Sequence, residues 1–329
     1  MSKLKALFKQ HLKQKSFILL IVLPLYLAGC ESLYTKNINN SNVLQKSKDN
    51  LISPKIEPIF DITLDKKDII LVDSFDLDTK NDEDKISTLS AFIEKRAKNQ
   101  EQKAIGYYEL GLYYDKLGLE ISARTMFINS IVLKPDFADS YNLLGFYLAM
   151  QGKYQEAFDA LDAAIELGCE YGYLNRGVAL IYDKRSNLAI SDLTKFYALD
   201  INDPYRLLWL YIAEHEALGD KKALLNLKYR FDKVADKKSK WAYFIIEHYL
   251  SNLSKDDFIE ALKLKTSTLQ EEQGEVLCTA YYYLGKKAEF EKRYKDAYDY
   301  YRLALIYKRH ALLEYRAAAL DLKKIKDYI

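Results

Sequence analysis

Along residues 104–164, large apolar, small and polar positions recur in one order written twice, thirty-four residues apart. Tyr107, Leu110, Gly111, Tyr114, Ala123, Phe127, Ser130 and Pro135 fall in the same places as Tyr141, Leu144, Gly145, Leu148, Ala157, Leu161, Ala164 and Cys169, and only the last position departs in chemical class. Within each copy the apolar positions are spaced three and four apart, which predicts two amphipathic helices. Gly111 and Gly145 fall mid-helix, where glycine costs about 1 kcal/mol against alanine, so a neighbouring helix is expected to pass close by. One helix pair cannot bury such a face alone. The pattern therefore predicts stacked pairs.

Downstream the pattern shifts, fades and returns. Gly177 follows Gly145 by only thirty-two residues, with Ala189, Leu193 and Phe196 at the second-helix positions, which predicts a shortened turn near 168–172. Asn202-Asp203-Pro204 punctuates the chain as a repeat end would. From there to about 277 the period weakens while helical stripes persist: Leu207, Leu208, Tyr211 and Ile212; Leu224, Leu227 and Phe231; Trp241, Phe244, Ile245 and Leu250. Ser254 and Asp257 ahead of Phe258, Ala261 and Leu262 read as a helix start. Tyr281, Leu284, Gly285, Ala288, Ala297, Tyr301 and Ala304 then restore the first order. This period and composition are those of tetratricopeptide repeats. The expected fold is an all-α tetratricopeptide-repeat solenoid over residues 83–329, with repeats at about 104–137, 138–169, 170–203 and 278–311. Irregular helices fill 204–277 and a terminal cap covers 312–329.

The amino-terminal thirty residues carry a separate signal. Lys3, Lys5, Lys9, Lys13 and Lys15 precede an apolar stretch, 17–27, that is short for a bilayer span, and Leu27-Ala28-Gly29-Cys30 closes it. This resembles the lipobox of bacterial lipoproteins. The resemblance implies cleavage after residue 29, a covalent lipid on Cys30, and no other cofactor. Several acyl chains, at about 0.8 kcal/mol per buried methylene, hold a protein to a bilayer far more firmly than one. In that family an aspartate just after the lipidated cysteine favours retention in the inner membrane; Glu31 stands here, so the outer membrane, periplasmic side, is expected. Residues 30–82 are rich in Asn, Ser, Lys and Asp and read as a flexible tether. Its apolar run Ile69-Ile70-Leu71-Val72 has two open readings besides a sticky loop: docking on the array, or pairing with a second copy. A helix is expected over about 83–98, its acidic start favoured by the helix dipole.

Composition narrows the functional classes. The chain has 49% hydrophobic and 29% charged residues, enough to bury a sizeable core. Without the five lysines of residues 1–29 it holds 44 basic and 47 acidic residues, so nothing points to nucleic acid. The acidic cluster Asp73, Asp76, Asp78, Asp82, Glu83 and Asp84 fails as a calcium loop, because Lys80, Asn81 and Ser87 fall where a ligand, the turn glycine and the bidentate acid belong. No metal site and no catalytic constellation is expected: H-E-x-x-H, G-x-S-x-G, the P-loop and G-x-G-x-x-G are all absent. A metal-dependent hydrolase would need His215 and His248 to meet across the irregular helices. Cys169 and Cys278 are either bridged or two buried thiols.

What remains is a groove lined by the first helix of each pair. Tyr108, Leu112, Asn142, Phe146, Leu174, Asn175, Tyr282 and Lys286 occupy positions that would face a bound polypeptide. With lipobox and repeats in place, the chain resembles the NlpI-type tetratricopeptide outer-membrane lipoproteins of Gram-negative bacteria. The resemblance rests on Tyr113-Tyr114-Asp115-Lys116-Leu117-Gly118-Leu119, on Leu174-Asn175-Arg176-Gly177-Val178-Ala179-Leu180, and above all on Asn202-Asp203-Pro204-Tyr205-Arg206-Leu207-Leu208-Trp209-Leu210-Tyr211. It implies a homodimeric, non-enzymatic adaptor that brings peptidoglycan endopeptidases to a periplasmic C-terminal processing protease and so regulates cell-wall hydrolysis and cell division. A structural lipoprotein of an outer-membrane secretion or pilus-assembly machine is the alternative.

Overall fold

The computed structural model describes residues 62–72, 79–237, 240–268 and 272–329. Cys30, the signal-like segment and much of the tether lie outside them, as do Asp73, Asp76 and Asp78. The described residues form fourteen α-helices and no strand. In chain order these are α1 (Thr79–Lys95), α2 (Gln100–Lys116), α3 (Glu120–Leu133), α4 (Ala138–Met150), α5 (Tyr154–Glu166), α6 (Tyr171–Tyr182) and α7 (Ser186–Leu199). There follow α8 (Pro204–Leu218), α9 (Asp220–Phe231), α10 (Tyr243–Tyr249), α11 (Lys255–Thr268), α12 (Gln273–Phe290), α13 (Tyr294–Ile306) and α14 (Leu313–Ile325).

The repeat order acts through one contact made again and again. Sixteen positions after the first-helix glycine, a large side chain of the second helix lies where a Cβ would be: Phe127 over Gly111, Leu161 over Gly145, Leu193 over Gly177 and Tyr301 over Gly285, each within 2.5–2.6 Å of the missing atom. Glycine is the residue that lets the helices approach this far. The alanines Ala123, Ala157, Ala189 and Ala297, one turn earlier on the second helix, are fully buried. The array is thus an all-α tetratricopeptide-type solenoid built from α2/α3, α4/α5, α6/α7 and α12/α13.

Three details differ from the sequence pattern. The connection between α5 and α6 keeps four residues, like that between α3 and α4, so the two missing positions come from the helix ends and not from the turn. The first helix spans 79–95 and not 83–98. Helix α2 then opens at Asn99, whose side chain accepts from Gln102 N at 2.9 Å. The pair α8/α9 is also a repeat: Ala189 and Leu193 recur thirty-four residues on as the buried Ala223 and Leu227. Its first-helix glycine is replaced by Tyr211, which masks the register. The helix start at Ser254 is present, with Asp257 N donating to Ser254 Oγ at 3.1 Å.

The apolar run in the tether docks on the array. Ile70 is buried; its N–H donates to Tyr281 Oη at 2.6 Å, and its carbonyl accepts from Tyr281 and Tyr307 at 3.1 and 2.9 Å. Asp299 accepts from Thr63 N and Oγ1 at 2.7 and 2.9 Å, and Asp68 meets Lys255 at 2.5 Å. Residues 62–72, counted as flexible tether from composition, are therefore a packed strap across α11, α12 and α13.

Candidate functional site

The last helix decides which part of the inner face is open. Arg316 donates to Asp115 at the end of α2 and, through Nη1, to Glu120 at 3.0 Å. Its guanidinium also lies 4.7 Å from the ring centre of Tyr147 on α4. Tyr182 on α6 donates to Ala317 O at 3.4 Å. Trp209 on α8 and Tyr283 on α12 donate to Glu314 at 3.2 and 3.1 Å, and Lys286 on α12 pairs with Asp321 at 3.2 Å. Helix α14 therefore touches the first helix of five pairs, filling the space beside the carboxy-terminal parts of α2, α4 and α6 and the middles of α8 and α12. The segment expected as a cap stacks on α12 and α13 as the next helix of the array and also reaches back across its inner face.

The eight groove positions divide accordingly. Tyr282 and Lys286 are 0% and 1% exposed, so neither reaches a surface. Tyr282 stacks on Trp209 with ring centres 5.7 Å apart, and Lys286 also lies 3.2 Å from Glu289 and 3.8 Å from Glu216. Phe146 is buried with the Arg316 guanidinium 5.5 Å above its ring. Asn142 and Asn175 are buried and pair, Asn175 Nδ2 donating to Asn142 Oδ1 at 2.9 Å. Tyr108, half-buried, packs against Phe137 and Phe127, and burial followed by Asp139 pushes its phenol up to about 12. Leu112 packs against the buried cluster of Ala123, Phe127 and Tyr147. Leu174 opens into a cavity.

That cavity, of about 340 Å³, lies where the amino-terminal ends of α6, α8, α12 and α14 converge. Tyr171, Phe196, Tyr205, Trp209 and Trp241 supply its aromatic walls. Asp203, Glu272, Glu275 and Glu314 supply four acids against one base, Arg206. Arg206 is already engaged: its guanidinium sits 4.0 Å over the Phe196 ring, and Nη1 donates to Phe196 O at 2.8 Å. Burial raises the Glu314 carboxyl above its ordinary value. Apart from Leu174, the periodicity marked none of these residues as groove lining. The available signal was the 202–211 stretch, whose residues stand outside the repeat order.

The remaining reactive side chains are occupied elsewhere. Cys169 and Cys278 are free and buried, so the bridge is not formed. Cys169 Sγ donates to Asp139 Oδ1 at 3.4 Å, and burial pushes its thiol up to about 11. His215 stacks on Phe290 at 3.6 Å, whereas His248 stacks on Phe258 at 5.3 Å and its Nδ1 lies 3.1 Å from Leu253 O. Burial lowers both imidazoles below their usual value. Among the described residues, no group of three or more His, Cys, Asp or Glu is arranged to hold a metal ion, and no helix is long and apolar enough to cross a membrane.

No known protein-family profile matches the chain. Among solved structures it is similar to MamA, at 21% identity and a TM-score of 0.41, over 50% of this chain and 96% of that one. It is similar to the APC/C hetero-tetramer Cut9–Hcn1 at 19% identity and a TM-score of 0.43, over 77% of this chain and 50% of that chain. It is also similar to the P58(IPK) TPR domain at 14% identity and a TM-score of 0.25, over 77% and 95%.

Proposed function

We propose that this chain is a lipid-anchored adaptor without catalysis of its own, tethered through Cys30 to the periplasmic face of the outer membrane. The observation that carries this reading is the inner face left open beside α14, where an aromatic and acidic cavity continues the first-helix surface. Repeat arrays use such surfaces to hold extended or helical polypeptide. The lipobox ending at Cys30 supports the anchor, and the fold supports protein partners in general. The resemblance to the NlpI type supplies the specific ones: a periplasmic C-terminal processing protease, peptidoglycan endopeptidases, and a second copy of the chain. An adaptor of this kind acts by effective concentration, making the encounter of protease and substrate nearly intramolecular.

The test is crosslinking in intact cells followed by identification of the captured proteins, alongside a pull-down from membranes with a version lacking the lipid. Recovery of a processing protease together with a murein hydrolase is expected. Recovery of neither overturns the assignment of partners, and recovery of a large secretion or pilus-assembly complex replaces it.

A further inference from the structure

The cavity beside Glu314 has a charge that its own lining leaves unbalanced. Asp203 is committed, accepting from the backbone N–H groups of Tyr205 and Arg206 at 2.8 and 3.3 Å and lying 3.6 Å from the Arg206 guanidinium. Glu272 and Glu275 are exposed at the rim. Glu314 is 7% exposed, and its side-chain donors, Trp209 and Tyr283, are both neutral. Among the described residues no lysine or arginine forms an ion pair with it.

We propose that this cavity receives one basic side chain, arginine or lysine, from an extended segment of a partner protein, with the cationic head beside Glu314 and the stem against the aromatic walls. The inference rests on the adaptor reading and states the chemistry of its ligand. Acids in the first turns of α12 and α14 are stabilised by the helix ends, which explains why they persist without a counter-ion. Helix ends do not call for two tryptophans, two tyrosines and a phenylalanine around an open volume. Aromatic faces attract a cation strongly where water is partly excluded, and a carboxylate nearby adds a charge-assisted hydrogen bond. An anionic ligand would meet three uncompensated carboxylates and an arginine already engaged.

Both tryptophans of the chain, Trp209 and Trp241, line this cavity, so intrinsic emission reports its occupancy. The probes are capped alanine pentapeptides with a central arginine, lysine, citrulline or norleucine, titrated into the full chain in detergent. A saturable emission change is expected for arginine and lysine below about 10 mM, with citrulline weaker by about tenfold or more. Glu275→Gln, on the exposed rim, is expected to weaken the arginine peptide several-fold without altering the fold, and Glu314→Gln to weaken it further.

Equal binding of arginine and citrulline peptides would overturn the cation preference while leaving a peptide-binding adaptor intact. No saturable response to any peptide would overturn the cavity as a receptor, and so would an unchanged arginine affinity in Glu275→Gln. The in-cell capture of partners is read independently of all these outcomes.

Discussion

At Gly145 a single hydrogen in place of a methyl sets the distance between two helices. A Cβ there would come within 2.6 Å of Leu161 Cγ and 3.1 Å of the Ala157 carbonyl oxygen, and the carbonyl is held by its own helix. Gly145→Ala is therefore expected to destabilise the array by about 1–3 kcal/mol, outweighing the gain in helix propensity of about 1 kcal/mol, as read by the urea midpoint. Arg316 works in the opposite sense, filling its site with charge. Arg316→Met leaves buried Asp115 without its cation and is expected to cost about 3–5 kcal/mol, with Asp115→Asn in the same chain recovering much of the loss in a double-mutant cycle. His310 lies against Gly118, and burial, with Arg316 and Lys308, holds its imidazole at about 4, against an ordinary 6.5. The folded chain keeps it neutral while the unfolded chain protonates it, so its contribution is complete above pH 6.5 and is lost as pH falls toward 4. Asp321 runs the other way: burial lifts its carboxyl to about 6 from 3.8, so its contribution falls as pH rises through that interval. His310→Gln should remove the first dependence only, visible as a flatter fall of unfolding free energy on acidification in urea titrations.

The elements show two departures from a regular stack. One is the strap 62–72, whose backbone is bonded to side chains of α12 and α13 in place of a strand or helix partner. Tyr281→Phe would leave the Ile70 N–H without its acceptor at a buried site, at an expected cost of about 1–2 kcal/mol. Faster proteolysis within 62–72 is the measurement that separates strap release from general unfolding. The other is α14, where Tyr315, Ala318 and Ala319 repeat the places of Tyr281, Leu284 and Gly285 thirty-four residues later. It takes the place of a first helix, and its buried side meets the inner face of the array; removal of residues 312–329 is expected to abolish cooperative unfolding, because Trp209 and Tyr283 lose Glu314 and the buried Lys286 loses Asp321.

Across the whole molecule, the contact between Arg316 and the α2–α3 corner joins residues about two hundred positions apart. Each repeat adds a small rotation, and here the rotations accumulate until the last helix reaches the first pair. The array cannot slide open without breaking the buried ion pairs of α14, which leaves the cavity walls preformed for a ligand. On the proposed reading, the amino terminus decides where this platform stands. Cys30→Ser is expected to move the chain from the membrane to the soluble fraction and to reduce the capture of membrane-proximal partners in cells, measured by fractionation and crosslinking.

The helix pairs are legible in the chain alone. Gly111 with Phe127, Gly145 with Leu161, Gly177 with Leu193 and Gly285 with Tyr301 are contacts within about one repeat, so their spacing is written in the chain. The pair α8/α9 was hidden because Tyr211 replaces the glycine that anchors the register, although Ala223 and Leu227 keep it. The lipobox-like motif is equally local, and the lipid proposed at Cys30 follows from it without reference to the fold. Which groove positions stay open follows instead from packing between helices of different pairs. Tyr282 and Lys286 have the same pattern as exposed lining, and they are buried because α14 and the more distant α8 both pack on them. The cavity needed the same closure, since Leu174, Trp209, Glu275 and Glu314 come from four helices whose meeting depends on superhelical rotation summed over every repeat, a quantity no local spacing encodes.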